Sequence, residues 1–148
     1  MGTSIGVRSL LDVNVLVSLA VEQHPFNRQA HSWFLKEPDR LWASCPMTQS
    51  GFLRTIYRMS GGGHSMIREA LESYEINCQS PNHEYWPVDV DLRDLTQAQR
   101  SRLIGANQIA DMQLLLLAYR HGAQLVTFDH GVIELVKGTR LAESLLIL

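Results

Sequence analysis

Five short apolar runs punctuate this chain, and a stretch with helical spacing separates each from the next. The runs cover residues 9–11, 41–44, 85–90, 123–128 and 145–148. Short strands alternating with amphipathic helices point to a parallel sheet with helices on both faces. A length of 148 residues suits one domain, spanning 1–148, with one sizeable core. The expected architecture is therefore α/β, with about five strands in a central parallel layer.

Local signals set the helices. After the first strand, residues 15–21 continue apolar and turn helical. Pro25 opens a helix to about residue 35, with Phe26, Ala30, Trp33 and Phe34 on one face. Thr48 caps a helix that runs to about Met59, where Gly61, Gly62 and Gly63 break it. Residues 66–76 place Ile67, Ala70, Leu71 and Tyr74 inward. Pro87 lacks a backbone donor and assigns the third strand to an edge. A helix follows Thr96, and another spans residues 110–121, with Leu114, Leu115, Leu117 and Ala118 inward and Gly122 past its end. A short helix covers 131–136.

Three aspartates stand against this apolar framework. Asp12 closes the first strand, Asp129 follows the fourth, and Asp111 lies in the first turn of the helix before the fourth strand. An ionised carboxylate resists desolvation, so acids beside a core need a reason. In open parallel sheets, sites form at the carboxyl ends of strands. Each acid alone also has a plain role: Asp12 as a helix cap, Asp111 as a partner of the helix dipole, Asp129 as a turn residue. Together they suggest an anionic cluster held by a hard divalent cation, hence metal-assisted phosphate chemistry.

Composition narrows the class. The chain is 45% apolar and 19% charged, with a net charge of −2. Bulk charge cannot drive nucleic-acid binding here, so local basic patches or a metal must do so. Eleven of the thirteen basic residues are Arg, which suits bidentate phosphate contacts. Cys45 and Cys78 are far apart and form no CxxC, so free thiols in a reducing cytoplasm are expected. No targeting segment is visible, and the apolar run 114–119 is too short to span a bilayer.

Four segments carry a resemblance. Leu10-Leu11-Asp12-Val13-Asn14-Val15-Leu16 resembles the opening motif of the PIN domain family. The stretch from Trp42 through Ser44-Cys45-Pro46-Met47-Thr48-Gln49 to Arg54 resembles the second block of its VapC-type toxin branch. Asp111-Met112-Gln113-Leu114-Leu115 and Leu125-Val126-Thr127-Phe128-Asp129 resemble the third and fourth. The order and spacing match over nearly the whole chain. The resemblance implies a three-layer α/β/α PIN-like fold and a metal-dependent endoribonuclease, the toxin of a VapBC-like type II toxin–antitoxin pair. It implies Mg²⁺ or Mn²⁺ on Asp12, Asp111 and Asp129, an RNA substrate, an antitoxin partner, a homodimer and no membrane association.

The sequence departs from many relatives at Gln49, where they carry Glu. An amide oxygen still coordinates or orients a water but brings no charge. Asn14 is placed to orient Asp12 or the strand-to-helix turn, and Thr127 to hold a metal-bound water. Arg54 and Arg58, one turn apart, are candidates for RNA phosphate contacts or for a solvated face. Phe26, Trp33, Phe52 and Ile56 exceed the needs of one small core, which suits a dimer. Two alternatives stand beside the ribonuclease: a catalytically weakened PIN-like RNA- or partner-binding module, and a dehalogenase-like phosphatase. The phosphatase begins strand–Asp-x-Asp, whereas position 14 here is Asn.

Overall fold

The structure, a computed structural model, describes residues 6–148. Five parallel strands form one sheet: β1 (Ser9–Leu11), β2 (Trp42–Ser44), β3 (His83–Tyr85), β4 (Gln124–Thr127) and β5 (Leu145–Ile147). Their order is β3-β2-β1-β4-β5. Leu10 lies in register with Ala43 of β2 and Leu125 of β4. Helices α1 (Val13–Ala20), α2 (Asn27–Leu35), α3 (Pro46–Met59), α4 (His64–Cys78), α5 (Gln97–Arg100), α6 (Asn107–Arg120) and α7 (Ile133–Val136) connect them.

Strand alternation divides the core. Leu10, Ala43 and Leu125 face Met112, Leu115, Leu117 and Ala118 of α6, together with Leu135 and Leu141. Leu11, Trp42 and Val126 face Val15 and Val17 of α1, Phe52 of α3 and Tyr74 of α4. Successive side chains on a strand point to opposite faces, so three-residue strands suffice to feed both layers. This is the expected three-layer α/β/α arrangement.

Local chemistry explains where the elements begin and end. Pro46 starts α3, where its missing N–H costs nothing. The Thr48 hydroxyl accepts from the Cys45 N–H at 3.0 Å and so closes a capping box. Thr96 and Gln99 form a second box on α5. Gly61 and Gly62 take φ of +78° and +84°, which ends α3 sharply.

Several elements differ from the sequence reading. β3 ends before Pro87, and its edge position leaves that proline outside the ladder. α6 starts at Asn107 because the Gln108 side chain accepts the N–H groups of Ile104 and Gly105, at 2.7 and 3.1 Å. Asp111 therefore lies in the second turn, beyond the strongest part of the helix dipole. Ile67 and Leu71 of α4 are exposed, since Ala70 and Tyr74 alone supply that helix's buried face. No helix among the described residues is long and apolar enough to cross a membrane. Both cysteines are free, Cys45 buried and Cys78 half-buried.

Candidate active site

β1 and β4 are neighbours, so their carboxyl ends deliver Asp12 and Asp129 to one edge of the sheet. Asp12 is 7% exposed and makes two hydrogen bonds. Its Oδ1 accepts the Val13 N–H at 2.7 Å, and its Oδ2 accepts the Thr127 hydroxyl at 2.8 Å. The fully buried Thr127 Oγ1 in turn accepts from Asn14 Nδ2 at 2.9 Å and from the Asp129 N–H at 3.1 Å. Asn14 Oδ1 accepts the Phe128 N–H at 3.1 Å. One closed network thus ties the end of β1 to the end of β4.

This network revises the part read for Thr127. Its proton goes to Asp12 and its oxygen already receives two N–H groups, so it has no capacity left for a water. It orients the Asp12 carboxylate instead. Asn14 acts through Thr127 and the β4 backbone rather than on Asp12 directly. Both ends of its amide are occupied.

The three carboxylates sense one another. Burial pushes the Asp12 carboxyl upward; the Thr127 and Val13 hydrogen bonds oppose this, and the charge of Asp129 adds to it. Burial likewise raises Asp111 to about 6, helped by the charges of Asp12 and Asp129. Asp129 is exposed, and its Oδ1 accepts the Gly131 N–H at 2.8 Å. No cationic side chain is among the groups that shift Asp12 or Asp111.

Among the described residues no group of three or more His, Cys, Asp or Glu side chains is placed to hold a metal ion. The donor set nonetheless fits a hard cation. It is all oxygen, it repels itself, and a divalent ion would relieve both the repulsion and the raised pKa values. Asp12, Asp111 and Asp129 are the residues that would hold such an ion.

The flanking residues fall in two groups. Gln49 sits half-buried in the first turn of α3, and its backbone N–H donates to the Cys45 carbonyl at 2.9 Å. Gly51, two residues further on, allows α3 to approach the residue that follows Asp12. A Cβ there would stand 2.5 Å from Val13 Cγ2. A glycine inside an otherwise helical pattern was the available signal for this close approach. Arg54 and Arg58 are exposed and, among the described residues, pair with no carboxylate; with Leu53, Tyr57 and Ile67 they line a shallow groove. On the same side of the sheet, an apolar pocket of about 150 Å³ opens among Leu11, Leu16, Phe34, Trp42, Phe52 and Tyr74.

The geometry can be set against known proteins. The PIN domain family model matches residues 9–138. Two Mycobacterium tuberculosis (strain H37Rv) proteins are similar over most of their length. Ribonuclease VapC44 is 35% identical over 126 residues, covering 85% of this chain and 89% of the relative. Ribonuclease VapC38 is 35% identical over 133 residues, covering 87% and 90%. The crystal structure of M. tuberculosis VapC20, described as a sarcin-ricin loop cleaving toxin, superposes with a TM-score of 0.60 at 15% identity, covering 84% of this chain and 92% of that one. A five-stranded parallel sheet, aspartates at the ends of its two central strands and a family match through both lead to one conclusion: the chain belongs to the PIN domain family, in its VapC-type branch.

Proposed function

We propose that this chain is a metal-dependent endoribonuclease and the toxin of a type II toxin–antitoxin pair, acting in the cytoplasm. The observation that carries this reading is the group of mutually repelling carboxylates at the carboxyl edge of β1 and β4, without a cationic side chain to balance it. Relatives of similar length that are named ribonucleases support it.

Asp12, Asp111 and Asp129 would hold Mg²⁺ or Mn²⁺. A divalent cation supplies charge neutralisation at a phosphodiester and an activated water near neutral pH. The chain's own residues do the rest. Thr127 fixes the rotamer of Asp12, Asn14 fixes Thr127, and the Asp129 N–H is held by the same hydroxyl. Asp111, raised to about 6, would hold the cation in its ionised form. Gln49 would orient a water or a phosphate oxygen from α3 without adding charge. Arg54 and Arg58 would contact RNA phosphates along the α3 groove.

Two partners follow from the same reading. An antitoxin segment would seat apolar side chains in the pocket beside Phe34 and Phe52 and present an Arg to the acids, since a guanidinium suits a carboxylate cluster. A second copy would form a homodimer. Three of the four residues that suggest a surplus do not argue for it: Phe52 is buried, and Trp33 and Ile56 pack against the core. The exposed Tyr57, Ile67, Leu71 and Ile76 of α3 and α4 do.

The test is RNA cleavage with added Mg²⁺ or Mn²⁺. Cleavage that stops with chelator and in Asp12→Asn supports the reading. Binding without cleavage in both ions favours the weakened module.

A further inference from the structure

Phe26 differs from the other aromatic residues of the early helices. It precedes α2, is 45% exposed and contributes nothing to the core. Its ring lies on that of Phe128, with centroids 4.6 Å apart and planes 13° from parallel. Phe128 therefore covers part of the Phe26 ring, the His24 ring stands tilted 5.9 Å away, and nearly half of the residue's surface stays exposed. Phe128 is the residue between Thr127 and Asp129, at the carboxyl end of β4, and its side chain packs on the face of the sheet that carries α1 and α3.

The segment is built to hold that ring outward. The Phe26 N–H donates to His24 Nδ1 at 3.1 Å. The His24 N–H donates to the Val21 carbonyl, and the Asn27 N–H to the His24 carbonyl, at 3.0 and 2.9 Å. Asn27 Nδ2 donates to the Ser18 carbonyl at 2.8 Å, which ties the turn to α1. At the other side, Asn14 holds the Phe128 N–H. The same asparagine that organises the acid network thus fixes the base of the stack.

We propose that Phe26, supported by Phe128, is a stacking platform for an unpaired base of the RNA next to the scissile phosphate. The inference rests on the ribonuclease reading above. Every base has a π-face, so an aromatic ring at the rim of a phosphate-cleaving site binds one without reading its edge. Hydrogen bonds already hold the turn that carries Phe26, which lowers the ordering that binding would require. A strand crossing the carboxyl edge of β4 would meet the acids on one side of the edge and the stacked rings on the other. Net charge of −2 gives the protein weak general attraction for RNA, which makes such a contact count.

The test uses the full chain carrying Asp12→Asn, with Mn²⁺ present. The probe is a short single-stranded oligoribonucleotide with 2-aminopurine at successive positions. At one position, fluorescence should be quenched on binding with Phe26 or Phe26→Trp and not with Phe26→Ala or Phe26→Leu. The Ala and Leu variants should bind roughly 5- to 150-fold more weakly. Mn²⁺ affinity and the sedimentation state should stay as they were. Equal binding by Phe26→Leu would reduce the ring to apolar packing and overturn the platform. So would unaltered binding by Phe26→Ala, or a changed oligomeric state, which would place Phe26 in a protein contact. If the unsubstituted protein neither binds nor cuts RNA, both readings fail; if it cuts RNA and Phe26→Ala cuts it equally well, only the platform fails.

Discussion

The two ends of α6 handle charge in opposite ways. Near its start, Asp111 joins Asp12 and Asp129 with no cation to balance them. At its end, every charge is answered. Arg8 Nη1 meets Glu84 Oε2 at 3.0 Å and its Nη2 donates to the His121 carbonyl at 2.7 Å. Trp86 Nε1 donates to the same carboxylate at 2.8 Å, and its ring lies 3.8 Å from that of His121, 3° from parallel. The Trp86 hydrogen bond, then the nearby Arg8, holds Glu84 below the usual carboxylate range. The compensated end is organised for stability. The uncompensated end retains a cost that only a ligand removes, which is the mark of a site.

The largest effect should come from neutralising the uncompensated end. Asp111→Asn should lower RNA cleavage by more than about 100-fold, since even outer-shell changes around a metal cost 10- to 100-fold. In chelator the same substitution should raise the unfolding midpoint at neutral pH, because it removes a carboxylate held there against repulsion. A fall in stability would mean that Asp111 is a packing residue. Thr127→Val comes next. It removes the donor to Asp12 and the acceptor for Asn14 and the Asp129 N–H, and should weaken Mn²⁺ binding about 10- to 100-fold. Thr127→Ser keeps the hydroxyl and should restore binding; failure to do so would assign the loss to the methyl group.

The compensated end should answer in the other currency. Trp86→Phe deletes a hydrogen bond to a charged acceptor that is partly solvated. It should reduce stability by about 1–2 kcal/mol in urea unfolding and leave kcat unchanged. A lowered kcat would couple the two ends.

The last effect is a pH dependence with opposite signs at the two ends. In chelator, Asp111 stands at about 6 folded against 3.8 as its ordinary value. The folded protein then binds more protons than the unfolded chain within that window, so this group lowers stability as pH rises from about 4 to about 6. Glu84 stands below 4.5, so its contribution is present above 4.5 and fades as pH falls through its lower folded value. His121, lowered from 6.5 by burial and then by Arg8, also resists acid, and its contribution fades as pH drops below 6.5. Comparing Asp111→Asn with the unsubstituted protein isolates the first. Their stability difference should widen from pH 4 to pH 6 and then level; a constant difference would remove the raised carboxyl.

Much of this was legible in one dimension. Residues 9–11 are the first strand as read, because a short apolar run before an Asp leaves few alternatives. The Gly and Pro stops and the capping threonines also sit where their chemistry puts them. The parallel sheet followed from alternation. What spacing could not carry were relations between distant residues. Thr127 looked like a free hydroxyl, yet partners 113 and 115 residues away occupy it. Phe26 shared a helical face with Ala30 on paper, but its turn sends it to Phe128. Ile67 and Leu71 matched an inward face that α4 does not bury. The start of α6 depended on a glutamine reaching back to the preceding loop.

The most direct measurement is calorimetric titration of the metal-free protein with Mn²⁺ at about pH 6, in buffers of different ionisation enthalpy. A carboxyl near 6 is about half protonated there, so binding should release roughly half a proton or more, falling toward zero at about pH 8. Asp111→Asn should lose most of that release. Mn²⁺ binding with no proton release at pH 6, or with the same release in Asp111→Asn, would contradict a cation site built on these repelling carboxylates.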